Sequence, residues 1–170
     1  MKSQANPNQL VWLLFGVIGG LCLAYFWPHE HALASATDRD AKFAICTVET
    51  APTGPDAVFV LDFNTGRLQG ALLNPQSLTF TNFWYTNVAT DFKVGKSGKF
   101  TMIPGNGYLN AGNQNAGTGL TIATGVIYIG EITTGRVGCY RFGYSSQRGQ
   151  MEPIPLEPVA DFPFRDVQSK

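Results

Sequence analysis

Hydrophobic and polar positions divide this chain into two regimes. From Leu10 to Trp27 the sequence LVWLLFGVIGGLCLAYFW runs for eighteen residues without a charge, Asn, Gln or Pro. At a helical rise of about 1.5 Å per residue such a run nearly crosses a hydrocarbon core, and it predicts a transmembrane helix. Trp12 lies near one end and Tyr25, Phe26 and Trp27 at the other, where amphipathic rings favour the membrane interfaces. Pro28 ends the helix. Lys2 and the α-amino group on the amino side, against Glu30, Asp38, Arg39 and Asp40 beyond the run, point the amino terminus to the cytoplasm. The alternative is a cleaved secretory signal, for which Ala32-Leu33-Ala34 and Ala34-Ser35-Ala36 supply cleavage triplets. The apolar run exceeds the usual signal core of about 7–15 residues and the triplets lie past its end, which favours a retained signal anchor. Both readings export the rest of the chain. Within the run, Gly16 and Gly20 have the spacing that lets two helices approach closely, a route to self-association.

After a short polar stalk the pattern changes to strand after strand. β-branched and aromatic residues come in short runs broken by Gly, Pro and Asn, and no amphipathic helix of useful length appears. The predicted strands are 42–49, 57–63, 67–73, 78–85, 100–103, 126–132 and 136–142. Residues 150–170, with Pro153, Pro155, Pro158 and Pro163, read as an extended tail. The expected organisation is therefore a cytoplasmic segment 1–9, a membrane helix 10–27, a stalk 28–41, a β-rich extracytoplasmic domain 42–149 and a tail 150–170.

Two of the hairpins repeat one another. Asp62-Phe63-Asn64-Thr65-Gly66-Arg67-Leu68 matches Glu131-Ile132-Thr133-Thr134-Gly135-Arg136-Val137, 69 residues later. Ser97-Gly98-Lys99-Phe100 offers a looser third copy without the acidic residue. The repeat resembles the outer hairpins of propeller blades, but a closed ring takes about four to eight blades, more than this chain holds. The fold class expected is all-β, a small antiparallel sandwich or barrel, with propeller-blade-like hairpin repeats as the alternative.

Composition narrows the chemistry. Twelve Lys and Arg against 12 Asp and Glu leave no net charge and no basic cluster, so no nucleic-acid partner is predicted. The only histidines, His29 and His31, lie in the stalk, where two ligands and an intervening Glu30 fall short of a zinc shell, so neither metal nor other cofactor is predicted. Without histidine in the β region, serine-triad and Cys/His chemistry lack their base. Asp62 and Glu131 suit the turns that come after them, whose amides and threonines an acidic side chain can bind, better than a catalytic pair. A carboxylate-dependent enzyme using Asp62, Asp91 or Glu131 stays as an alternative. Thr65, Gly66, Thr134 and Gly135 complete the two turns. Cys46 and Cys139 form an even pair in an oxidising compartment, with a disulfide and two buried thiols both open as readings.

The aromatic strand around Trp84 and Tyr85, and the Gly/Asn-rich stretch 104–119 with Tyr108, Asn110 and Asn113, are the candidate ligand-binding residues. Three segments, KFAICTVE, VFVLDFNTGRL and VIYIGEITTGRVGCY, together resemble small exported or membrane-anchored β-rich proteins of planctomycete bacteria, a group without an established activity. Gly138-Cys139 departs from the alanine-rich continuation of that pattern. The resemblance implies a short membrane or signal segment ahead of a β domain, and it carries over no functional residue. The function expected is non-catalytic binding or scaffolding by a membrane-anchored extracytoplasmic β domain, with membrane and protein partners. A secreted carbohydrate- or peptide-binding module is the alternative.

Overall fold

The computed structural model describes residues 7–26, 37–95, 98–109, 119–146 and 149–165. Contacts divide the chain into two units, Met1–Ala34 and Ser35–Lys170. The first contains helix α1 (Pro7–Phe26), which opens on the proline that a first helical turn tolerates. Its side chains are described at Asn8 and over 11–22, and every one of them is exposed. Among the described residues no helix is long and apolar enough to cross a membrane. Trp27 and the stalk histidines lie outside the described residues.

The second unit is built of strands in the order β1 (Thr37–Arg39), β2 (Phe43–Glu49), β3 (Asp56–Asp62), β4 (Arg67–Asn74) and β5 (Thr79–Asn87). A four-residue helix, α2 (Val88–Asp91), precedes β6 (Phe100–Asn106), β7 (Thr121–Ile122) and β8 (Gly125–Glu131). The remainder is β9 (Arg136–Arg141), β10 (Gly143–Tyr144), β11 (Ile154–Pro155) and β12 (Glu157–Pro163). The sheets run β1-β2-β3-β4-β5-β11 and β12-β9-β8-β6, with β7 and β10 paired separately. Among the described residues all pairings are antiparallel except β11 on β5. Among the described residues neither sheet closes into a barrel; the two share one core.

Each sheet contains a four-stranded meander, and the two meanders share one register around their turns, their outermost strands bulging at different positions. In the first, one rung reads Phe43–Asp62–Arg67–Asn87; in the second, Phe100–Glu131–Arg136–Pro163. The hydrogen bonds around the turns match as well. The Phe63 amide donates to the Lys42 carbonyl at 2.9 Å, and that of Ile132 to Lys99 at 2.8 Å; Val88 donates to Gly66 at 2.8 Å, and Phe164 to Gly135 at 2.7 Å. The repeat seen in the sequence is thus a repeat of a whole unit, in which β2 to β5 correspond to β6, β8, β9 and β12. Ser97 lies outside the described residues, and Gly98-Lys99-Phe100 forms no third hairpin: it leads into β6, where Lys99-Phe100 is the twin of Lys42-Phe43. Residues 157–163, within the stretch expected to be extended, supply the outermost strand of the second meander.

The copies use opposite faces. Taking the face that bears the turn carboxylate as the front, the first front carries Val58, Val60, Asp62 and Gln69, none of them buried. The second front carries Ile127, Ile129, Glu131, Gly138 and Tyr140, all buried. The front of the second meander therefore packs on the back of the first, which contributes Cys46, Phe59, Leu61 and Trp84 to the same core. The sheets come closest where β2 meets β6 and β8. The rings of Phe59, Trp84 and Phe142 pack with centroids 4.9–5.5 Å apart. Val88 and Phe92, from α2 and its cap, join this core.

Backbone spacing follows from the choice of face. A Cβ on Gly125 would stand 2.5 Å from the Glu49 carbonyl oxygen, and one on Gly138 would meet the Phe92 ring at 3.1 Å. Their twins on the open front are Asp56 and Gln69, which project side chains into solvent. Two polar side chains pin the segment after β9 across the core. Asn82 donates to the Ser145 carbonyl at 3.1 Å and accepts its amide at 2.9 Å, while the Trp84 indole donates to Gly143 at 2.8 Å.

Candidate functional site

The two turn carboxylates have the same neighbours and different surroundings. Asp62 accepts from the Asn64 amide and the Thr65 hydroxyl, each at 2.8 Å, and these bonds hold its carboxyl below the usual range. Glu131 accepts from the amides of Lys99 and Thr133 at 3.0 Å, and from the amide and hydroxyl of Thr134 at 2.5 and 2.7 Å. Burial alone pushes the Glu131 carboxyl up, but the bonds from Thr134, Thr133 and Lys99 together outweigh it and bring the carboxyl from 4.5 down to about 2. The bond from Lys99 crosses to the lead-in of β6, so Glu131 ties its own turn to the neighbouring strand. Gly66 and Gly135 close the turns at φ of 68° and 67°, where a side chain would be strained. A carboxylate with every donor facing it already engaged is suited to hold backbone, and Glu131 is out of a substrate's reach at 0% exposure.

Asp91, the third carboxylate considered, lies at the end of α2. It accepts from the Tyr140 hydroxyl at 2.9 Å and from Thr86 at 3.3 Å. Burial, then the charge of Asp91, pushes the Tyr140 phenol up, so it remains a hydrogen-bond donor rather than a base. A cleft of about 200 Å³ opens beside this pair, edged by the Arg136–Asp161 ion pair. Arg136 and Asp161 are paired with each other, and Asp91 is engaged by the Tyr140 and Thr86 hydroxyls.

The larger concavity lies on the open front of the first meander, with a volume of about 670 Å³. Val58, Val60, Ala71, Phe80, Phe83 and Tyr85 line it, with Arg67 and Gln69 as its polar members. Sequence reasoning placed Tyr85 here without the apolar floor around it. The signal was present: β3 and β4 carry apolar residues at both parities, so both faces of the sheet want cover.

Of the other expected ligand residues, Trp84 borders this groove but turns its ring away from it, and Tyr108 lies elsewhere. Trp84 points the opposite way, is buried, and has its indole nitrogen engaged by Gly143, which removes it as a stacking platform. Tyr108 is exposed beyond the end of β6, with φ of 40°, and its amide is held by Thr124 at 3.1 Å. Asn110 and Asn113 lie outside the described residues. Cys46 and Cys139 are free in this structure. Cys46 points into the core and Cys139 lies on the back of β9, so they occupy different faces, and the bridge is not formed. Burial pushes the Cys46 thiol up to about 12 and raises Cys139 as well, which keeps both protonated and unreactive. Among the described residues no group of three or more metal-ligating side chains converges.

No protein-family model, curated protein or solved structure matches this chain.

Proposed function

We propose that the chain is a membrane-anchored extracytoplasmic protein whose β unit, made of two propeller-blade-like meanders, binds or scaffolds without catalysis. The observation that carries the anchoring is α1: a 20-residue helix, about 30 Å long, whose described apolar side chains are all exposed. A helix that is apolar on every side belongs in lipid or in the interior of a larger assembly. The sequence continues the uncharged run from Leu10 to Trp27 on both flanks of the described side chains, which brings it close to the length that a bilayer requires. Support for a non-catalytic β unit comes from the engagement of its carboxylates: Asp62 and Glu131 fix turns, and Asp91 fixes Tyr140.

The experiment is fractionation of the expressed full chain, then the mass of the recovered polypeptide. An anchored protein sediments with membranes, resists alkaline washing, needs detergent for release and retains residues 1–36. A soluble product lacking those residues establishes the cleaved-signal alternative, and an intact product released without detergent contradicts anchoring.

A further inference from the structure

Among the described residues each meander leaves one face largely open, with Val126 beside Gly107 the buried exception on the back of the second, and the repeat states what each face resembles. The front of the first is the twin of a face that is packed in this molecule, namely the front of the second. The back of the second is the twin of the other packed face, the back of the first. We infer that copies of this chain stack head to tail, the back of one copy's second meander on the front of the next copy's first, repeating between chains the contact made within each chain.

The residues match position by position. On the open front, Phe43 and Val60 correspond in register to Phe100 and Ile129. On the open back, Ile103 and Tyr128 correspond to Cys46 and Phe59, and Phe164 beyond β12 corresponds to Val88 beyond β5. The five open residues are 37–57% exposed, whereas their twins are at most 2% exposed. Large apolar side chains thus stand in solvent at the positions where their twins form the core. Patches of this kind on a soluble surface mark interaction sites. The polar twins follow the same logic: Gly125 and Gly138 make room where the front is packed, and Asp56 and Gln69 stand where it is not.

A contact between two different faces is heterologous, and it ends only when a ring closes. The internal geometry favours closure. The meanders approach at their first strands, β2 and β6, and the chain crosses from the last strand of one to the first strand of the next. That arrangement fans successive units about an axis beside the first strands, as in propellers of about four to eight blades. With two meanders per chain, the ring holds about two to four copies.

The test uses the full chain in detergent, in a Gly16→Ile, Gly20→Ile background so that helix packing does not hold copies together. Native mass spectrometry is expected to show one closed species of two to four chains. Val60→Asp spoils only the open front and Tyr128→Asp only the open back; each variant alone is expected to run as a single chain with unchanged circular dichroism. Mixed together, the two variants retain one intact front and one intact back, and they are expected to form a complex of two chains and nothing larger. Should Tyr128→Asp fail to fold, Ile103→Asp on the same face replaces it. A single-chain parent protein, an assembly that survives Val60→Asp, or variants that do not combine when mixed would each overturn head-to-tail stacking.

Discussion

The turn after β3 and the turn after β8 share a sequence pattern, a register and a left-handed glycine, yet one is surface decoration and the other is a lock. Asp62 faces solvent and fixes only its own loop. Glu131 is buried, and one of its bonds reaches Lys99, just ahead of the strand beside its own hairpin. The difference comes from the face turned toward the core, since the local chemistry is the same. A buried acceptor cannot be replaced by water, so removing it leaves amide donors unsatisfied, whereas water can take over at the exposed turn.

The largest effect that this difference predicts is on stability. Glu131→Ala should cost about 3–5 kcal/mol in denaturant unfolding of the β unit, because three amides and a hydroxyl lose a charged acceptor. Asp62→Ala should shift the midpoint far less, and equal shifts would mean that the two turns share one environment. Next come the glycines beneath the packed front. Gly125→Ala must push β8 from β2 and should cost about 2–3 kcal/mol, while Asp56→Ala, at the twin position, should stay within about 0.5 kcal/mol. Thermal unfolding of the two variants side by side checks this. Asn82→Ala removes both bonds to Ser145 and should cost about 1–3 kcal/mol, with faster amide exchange at Ser145 as its local signature. The smallest effect is expected at Cys139: on the open back and raised in pKa, it should react slowly with a thiol reagent at neutral pH, and Cys139→Ser should leave the unfolding midpoint nearly unchanged.

Most strands could be read from the chain because turn chemistry punctuates it. Asn64-Thr65-Gly66 and Thr133-Thr134-Gly135 mark the two tight hairpins, and the strands flanking them run within a residue or two of expectation. The facing of the strands could not be read. Val58 and Val60 on one side of β3, with Phe59 and Leu61 on the other, give no alternation to say which side packs, and VIYIG in β8 is equally two-sided. Strand β12 was hidden because Pro158 and Pro163 suggest an extended tail, although edge strands tolerate proline where no ladder amide is needed. The same ambiguity concealed the groove. Trp84 and Tyr85 are neighbours in sequence, but strand alternation sends the first into the core and the second into the open face.

Acid unfolding gives the most direct test of the buried lock. The folded Glu131 carboxyl, at about 2, binds its proton more weakly than an ordinary glutamate at 4.5. Its contribution is therefore complete above the ordinary value and is lost as the pH falls toward 2, a difference of about 3 kcal/mol. Unfolding free energy measured from pH 6 to about pH 2 should fall steeply in the parent protein and in Asp62→Asn, and much less in Glu131→Gln, whose curve starts lower. Parallel curves for the parent and Glu131→Gln would show that the carboxylate is not held as described.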